Sequence, residues 1–433
     1  MITAEAWKDK KYAVYGLARS GLATVRALVA SGAEVTAWDK NEEARAKAEG
    51  ATLLDLDTAD LSRFDSLVVS PGVPLNTHPI AARAREAGVE IIGDIELFAR
   101  ARPELPPHKV VGITGTNGKS TTTALVHHIL QTADVPTTMG GNIGLPILAQ
   151  DPLPEGGVYV LELSSYQIDL TQSLDCDVAV LLNITPDHLD RYESFEAYAA
   201  SKARLFEMQS VGRAALIAED DTAADDVVYR IQHERKFGDR WKNVRQFHRE
   251  LVSGQADWPA LAGPHNAQNA AAAIVAAECL GVDDANVQSG LRTYPGLPHR
   301  MERVRELNGT LFINDSKATN AEAAAPALAA YPRIRWIVGG QAKTRDLGDT
   351  ANHLDHVVRA YTIGEAGPLF ARLLRERGVD VIESETLENA VKSCARDSQP
   401  GETVLLSPAC ASFDQFRDFE ARGEAFRALV GAL

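Results

Sequence analysis

Val110-Val-Gly-Ile-Thr-Gly-Thr-Asn-Gly-Lys-Ser-Thr-Thr-Thr123 runs directly into Ala124-Leu-Val-His-His-Ile-Leu130. An apolar run of β character ends at Ile113, a Gly-rich turn follows, and a helical pattern begins near Lys119. This is the strand–loop–helix setting of a phosphate-binding loop. Gly115 and Gly118 let the backbone bend so that N–H groups converge on an anion at a helix N-terminus. Lys119 supplies a point charge for the outer phosphates, and Ser120 or Thr121 a hydroxyl for Mg²⁺. Gly112 lies one residue too far upstream for the general Walker A spacing, so an ordinary Gly-rich turn is the competing reading. The Lys-Ser-Thr run favours a nucleoside triphosphate, ATP.

Bulk composition bounds the rest. A chain of 433 residues has room for about two to four domains. Its 45% hydrophobic and 24% charged content is that of a globular chain with ample core. A net charge of −15 argues against a nucleic-acid partner, because a phosphate backbone would be repelled. Cys176, Cys279, Cys394 and Cys410 are too dispersed for a CxxC site or a secreted disulfide framework. With no apolar leader at the N-terminus and no run of membrane-spanning length, the chain is expected in the cytoplasm, as a monomer.

Upstream of the loop, short apolar strands (Tyr12–Tyr15, Glu34–Trp38, Ser66–Val69, Glu90–Ile92) alternate with helical segments (Leu22–Ala30, Pro79–Ala87). Such alternation implies a parallel, Rossmann-like sheet. Its first turn, Gly16-Leu-Ala-Arg-Ser-Gly21, resembles a dinucleotide fingerprint with Ala18 in place of the second glycine. That substitution disfavours a hydride-transfer cofactor. Two readings stay open: a substrate diphosphate resting on the Arg19-Ser20-Gly21 helix start, or a turn that only shapes the fold. Asp39 and Ser70 close the next strands, where ligands of open α/β sheets bind.

Three prolines in Arg102–His108 mark a linker. Beyond the loop, Gly140-Gly-Asn-Ile-Gly144 is a tight turn bearing the Asn142 amide. Glu162 ends a buried strand beside the phosphate loop, a position suited to Mg²⁺, or else to a helix cap formed with Ser164 and Ser165. The next strand leads into Asn183-Ile-Thr-Pro-Asp-His-Leu-Asp-Arg-Tyr192, where His188, Asp187 and Asp190 cluster. Lys202, on a helix expected over Phe195–Gln209, reads locally as a solvated lysine, and Arg230–Arg249 as a solvated surface segment. Tyr294-Pro-Gly-Leu-Pro-His-Arg300 marks a second boundary. Alternation then restarts with strands at Thr310–Ile313, Arg335–Val338, Ala360–Ile363, Val379–Ile382 and Thr403–Leu406. Three of these end in polar clusters: Asn314–Asn320, Gly339–Lys343 and Ser407–Phe416.

Thr114-Gly-Thr-Asn-Gly-Lys-Ser120, Asn183-Ile-Thr-Pro-Asp-His188, His265-Asn-Ala-Gln-Asn269 and His299-Arg300 occur in an order that resembles the Mur ligase family of peptidoglycan biosynthesis, along essentially the whole chain. The resemblance implies three α/β domains: a Rossmann-like UDP-substrate domain (1–101), a central P-loop ATP domain (102–295) and a C-terminal Rossmann-like amino-acid domain (296–433). Asp190-Arg-Tyr192, Asn314–Asn320 and Ser407–Phe416 resemble the members that join D-glutamate to UDP-N-acetylmuramoyl-L-alanine. It further implies ATP-driven amide synthesis through an acyl phosphate, with two Mg²⁺ sites. By matching motifs, Lys119, Glu162, His188 and a carbamylated Lys202 would carry the chemistry, with Ser120, Glu162, His188 and Lys202 around the metals. Gly115, Thr116, Asn117, Gly118, Lys119, Ser120, Thr121, Asn266, Arg300 and Asp315 would hold ATP. Arg19, Ser20, Asp39, Ser70, Asn142 and His188 would hold the UDP-linked substrate, and Lys317, Thr319, Lys343, Ser412 and Phe419 the D-glutamate. Domain closure about Tyr294–Pro298 is expected.

Overall fold

A computed structural model describes residues 1–187, 190–219 and 243–433. The chain divides into two compact units, Met1–Leu251 with Gln268–Leu291, and Val252–Ala267 with Arg292–Leu433.

The first unit holds two parallel sheets. One contains β1 (Lys11–Tyr15), β2 (Glu34–Trp38), β3 (Thr52–Leu53), β4 (Ser66–Val69) and β5 (Glu90–Ile92), in the order β3-β2-β1-β4-β5. The other contains β6 (His108–Thr114), β7 (Thr137–Gly141), β8 (Gly157–Glu162), β9 (Val178–Leu181), β10 (Ala214–Ala218) and β11 (Val244–Phe247), in the order β11-β10-β9-β6-β8-β7. Parallel strands covered by helices on both faces read as unbroken apolar runs, and β4, β8 and β9 are buried along their whole length. Gly112 is a packing glycine inside β6: a Cβ there would sit 2.7 Å from the Cys176 sulfur.

One hydrophobic core runs through both sheets of this unit, from Trp7, Tyr12 and Phe98 to Tyr159, Leu161 and Leu181. Phe98 meets Tyr159 edge to face at 5.0 Å, and His108 meets the same ring at 5.0 Å. Burying a ring of this size is worth about 2–3 kcal/mol. The proline-rich stretch between the sheets is accordingly short and ordered. Arg102 donates to the Asp175 carbonyl and lies 3.6 Å from Asp177.

The second unit carries β12 (Glu302–Leu307), β13 (Thr310–Asn314), β14 (Ile334–Gly339), β15 (Val357–Ile363), β16 (Val381–Glu385) and β17 (Thr403–Leu406). Their order is β12-β13-β17-β14-β15-β16, parallel except for β12, which pairs antiparallel with β13. β12 was not anticipated: Glu-Arg-Val-Arg-Glu-Leu is a charged, half-exposed edge strand with no apolar run to announce it. β16 begins at Val381, two residues later than the sequence pattern suggests. Of the segment 230–249, residues 230–242 lie outside the described residues, and Val244–Phe247 forms the edge strand β11. No helix among the described residues is long and apolar enough to cross a membrane.

Candidate active site

The loop between β6 and the helix Lys119–Thr132 is held by residues far away in sequence. Gly115 and Gly118 have φ of 155° and 83°, and a Cβ on Gly118 would lie 2.2 Å from the Asn269 side-chain oxygen. The Asn183 side-chain oxygen accepts from the Thr116 and Asn117 amides at 3.1 and 2.8 Å, and its NH₂ donates back to the Asn117 carbonyl at 3.1 Å. Thr116 Oγ1 accepts from the Thr185 amide and lies 3.1 Å from the Tyr198 hydroxyl. These bonds occupy the Thr116 and Asn117 amides. The first turn of Lys119–Thr132 carries no side-chain cap, and a helix N-terminus of this kind favours an anion. Ser120 is buried in that turn, and Thr121 follows half-buried. Lys119 folds back so that Nζ donates to the carbonyls of Gly115 and Thr116 at 2.8 and 2.7 Å.

Lys202 corrects the reading of a solvated lysine. It lies on the helix Phe195–Glu207, is 1% exposed, and donates to the Gly115 carbonyl at 2.9 Å. Its Nζ sits 4.5 Å from the centre of the Tyr198 ring. Burial, and then the nearby Lys119 charge, hold the amine well below the usual lysine range, against weaker opposing pulls from Asp187 and Asp169. The neutral amine that carbamate formation requires is therefore favoured. Glu162, at the C-terminal end of β8, is 2% exposed. Its Oε1 accepts from the Asn142 amide at 2.8 Å, while Oε2 is buried without a hydrogen-bond partner. Ser164 caps the following helix through a reciprocal pair with Gln167, so Glu162 is not the cap. A buried carboxylate oxygen with nothing to bond fits a cation ligand. His188 lies outside the described residues.

On the first sheet, Ser70 Oγ donates to the Gly16 carbonyl at 2.7 Å. Gly21 packs so closely that a Cβ would fall 1.9 Å from the same oxygen. Asp39 spends its carboxylate on the backbone, accepting from Leu17 N at 2.6 Å and Asn41 N at 2.8 Å, and so shapes the Gly16–Gly21 turn. Arg19 reaches from the helix start to the Gly144 carbonyl at 2.7 Å, touching the turn that carries Asn142, while Ser20 is half-buried beside it.

In the second unit, Asp315 follows β13 fully buried, accepting from Met301 N at 3.1 Å and Ser407 Oγ at 2.8 Å. Burial pushes its carboxyl up to about 7, opposed by Ser407, Met301, Arg300 and Arg422. Lys317 lies with Nζ 4.4 Å from the Phe419 ring centre, so two residues assigned to one pocket do meet. Ser412 is buried, Thr319 half-buried and Lys343 exposed. Asn266 is buried and donates to the Ala262 carbonyl at 2.9 Å. Arg422, passed over in the sequence, is 1% exposed and binds Ser316 through both its hydroxyl and its carbonyl, at 3.0 and 2.8 Å, and the Cys410 carbonyl at 3.1 Å. It joins the segments that carry Lys317 and Ser412, and burial lowers its guanidinium to about 10. Asn183 and Asn269 stand in motifs of the sequence that give them no role, and Arg422 gave no signal, because each meets a segment remote in sequence.

Residues 10–93 match the MurD-like N-terminal domain of Mur ligases, 113–277 the Mur ligase middle domain, and 299–410 the Mur ligase glutamate ligase domain. The chain is 59% identical over its full length to a protein of Novosphingobium aromaticivorans named UDP-N-acetylmuramoylalanine--D-glutamate ligase, covering 97% of it. It is 60% identical to a protein of the same name from Sphingopyxis alaskensis, with both chains covered in full. Among solved structures, UDP-N-acetylmuramate-alanine ligase from Thermotoga maritima shares the fold at a TM-score of 0.58 and 18% identity, over 98% of this chain and 99% of that one. A Gly-rich loop held by Asn183 before a helix, a buried amine against that loop and three matching domains agree: the chain belongs to the Mur ligase family of ATP-dependent ligases.

Proposed function

We propose that the protein joins D-glutamate to UDP-N-acetylmuramoyl-L-alanine at the expense of ATP, in cytoplasmic synthesis of a peptidoglycan precursor. The observation that carries the chemistry is the Lys202 amine, buried and drawn to the Gly115 carbonyl at the foot of the phosphate loop. The amino acid is taken from the full-length relatives, which are named for D-glutamate. Residues 1–101, 102–295 and 296–433 are assigned to the UDP-linked substrate, ATP and the amino acid, and the active form to a monomer.

A carboxylate is a poor electrophile, so it must be activated before an amine can attack it. The L-alanyl carboxylate oxygen attacks the γ-phosphorus of ATP, the bond to the β-phosphate oxygen breaks, and ADP leaves. The amine of D-glutamate then attacks the acyl carbon. The tetrahedral intermediate expels phosphate, and the ammonium proton is released. Phosphoryl transfer of this kind depends mostly on positioning and charge neutralisation. Gly115 to Thr121 would cradle the triphosphate, with Lys119 on its β- and γ-phosphates, and Asn142 would orient the substrate at the transferring group. Arg19, Ser20, Asp39 and Ser70 would seat the UDP-linked end. Asn266, Arg300 and Asp315 would contact ATP, and Lys317, Thr319, Lys343, Ser412 and Phe419 the D-glutamate.

Ser120 and the unpartnered oxygen of Glu162 would hold one Mg²⁺, and His188 with a carbamylated Lys202 a second; bound there, the ions supply positive charge against the phosphate oxygens. The carbamate forms when the neutral Lys202 amine adds to CO₂ and loses a proton, which turns a repulsive cation into an anionic oxygen ligand.

Phosphate release from ATP, measured with UDP-N-acetylmuramoyl-L-alanine and a series of amino acids, tests the reading. Release that requires D-glutamate, and not L-glutamate, L-alanine or diaminopimelate, is expected. Release driven by another amino acid overturns the assigned step, and ATP binding with no release under any of them overturns the ligase reading.

A further inference from the structure

We infer that Arg191 is a positioning residue that sets the UDP-substrate turn against the phosphate-transfer centre. The inference rests on the functional reading above. The Arg191 guanidinium donates to three successive carbonyls, those of Pro71 and Gly72 at 3.4 Å and of Val73 at 3.0 Å. These carbonyls close the turn after β4, whose Ser70 hydroxyl holds the Gly16 carbonyl. Asn76, just beyond the turn, donates to the Asp190 carbonyl at 3.0 Å, so two side chains tie the same pair of segments from opposite sides.

The other face of Arg191 points to the chemistry. Its Cζ lies 4.3 Å from the centre of the Tyr166 ring, four residues beyond Glu162. Tyr166 stacks on Tyr192 at 6.1 Å and 15°, and Tyr192 meets Tyr198 at 5.4 Å. Tyr198 covers the Lys202 amine. Tyr192 is fixed from below, its hydroxyl donating to Asp169 Oδ2 at 2.8 Å. An unbroken line of side chains therefore runs from the Ser70–Val73 turn to Lys202, and Arg191 is the link that crosses from one sheet to the other.

The task needs an arginine. A planar guanidinium can fan its N–H groups over three carbonyls while lying flat on a ring; an ammonium is a single point charge and cannot do both. A UDP-linked substrate is held far from the carboxylate that reacts, so a small displacement of its turn carries through to the reacting atoms.

The experiment is steady-state phosphate release by Arg191→Met, Arg191→Lys and the milder Asn76→Ala, with each of the three substrates varied in turn and a thermal melt of each protein. The expected result is an approximately tenfold rise in KM for the UDP-linked substrate in both Arg191 variants, with KM for ATP and D-glutamate within about twofold of the parent. Asn76→Ala should shift the same KM in the same direction by less. An Arg191→Met enzyme with parental KM values overturns the inference, as does an Arg191→Lys enzyme equal to the parent, which would mean that charge alone matters. So does a uniform shift of all three constants accompanied by a lowered melting temperature. A parent enzyme inactive with UDP-N-acetylmuramoyl-L-alanine removes the functional reading itself, whereas an active parent with unaltered variants removes this inference alone.

Discussion

The amines of Lys119 and Lys202 share one acceptor, the carbonyl oxygen of Gly115, at 2.8 and 2.9 Å. Two cations on one carbonyl repel, and the fully buried one yields its proton more readily. Lys119 is half-buried in the loop, while Lys202 is the amine whose proton is held least firmly, which is what the proposed reaction with CO₂ would use.

Replacing Lys202 with methionine should separate activity from stability. Activity should fall about 100-fold or more. The parent should also lose activity in CO₂-free buffer and regain it with bicarbonate, whereas the variant responds to neither. Stability should move the other way. Between the depressed folded pKa and the unfolded value near 10.4, the unfolded chain binds the proton and the folded chain does not, so the parent gains stability as pH rises. Lys202→Met should therefore melt above the parent at pH 7, with the gap narrowing toward pH 10. A gap that widens with pH contradicts this account.

Glu162→Gln keeps an acceptor for Asn142 and removes the charge from the unpartnered oxygen. The expected outcome is a loss of about 100-fold or more in kcat and a higher Mg²⁺ requirement, with a melting temperature no lower than the parent's. Titrating Mg²⁺ against rate checks it; an unchanged Mg²⁺ dependence would assign Glu162 a structural role.

Gly118→Ala places a methyl group 2.2 Å from the Asn269 oxygen at a φ of 83°. Strain of about 1–3 kcal/mol follows, and the first-turn amides lose their aim. Binding of a non-hydrolysable ATP analogue should weaken at least tenfold, by about 1.4 kcal/mol or more. Calorimetry that finds parental affinity would sink the proposed anion cradle.

Asp94 is buried at the start of its helix, where only its own amide and that of Ile95 approach the carboxylate, with poor geometry. Burial raises it from 3.8 to about 6, offset only in part by nearby amides. Between those values the folded chain keeps a proton that the unfolded chain releases, so stability falls as pH rises through the window and stays reduced above it. Asp94→Asn should be more stable than the parent by up to about 3 kcal/mol at pH 8, with the gap closing toward pH 4. Denaturant melts at the two pH values decide it.

Local patterns carried much of this protein. Val110–Ile113 is apolar throughout because β6 lies between neighbours on both sides, and Gly115, Gly118 and Lys119 lie at the bend where that strand gives way to a helix. The polar ends of β13, β14 and β17 stood out in the same way, as abrupt breaks in apolar runs. Such features depend on backbone conformation within a few residues, which is what periodicity and glycine placement record.

The tertiary structure decided what those breaks are for. Asn183 grips a loop 66 residues away, Asn269 stands where a side chain on Gly118 would go, and Arg422 binds Ser316 from 106 residues along the chain. Lys202 shows the limit most directly. On its own helix it reads as a surface lysine, and only the packing of that helix under Tyr198 and the Gly115 carbonyl removes its water and lowers its hold on the proton. The sequence by itself determined three α/β sheets and the Gly-rich turn between β6 and its helix, because strand, turn and helix are short-range choices. Which amine is held below its usual range, which carboxylate oxygen is unpaired and which arginines span two sheets are set by desolvation and by contacts across the fold, and no local pattern encodes them.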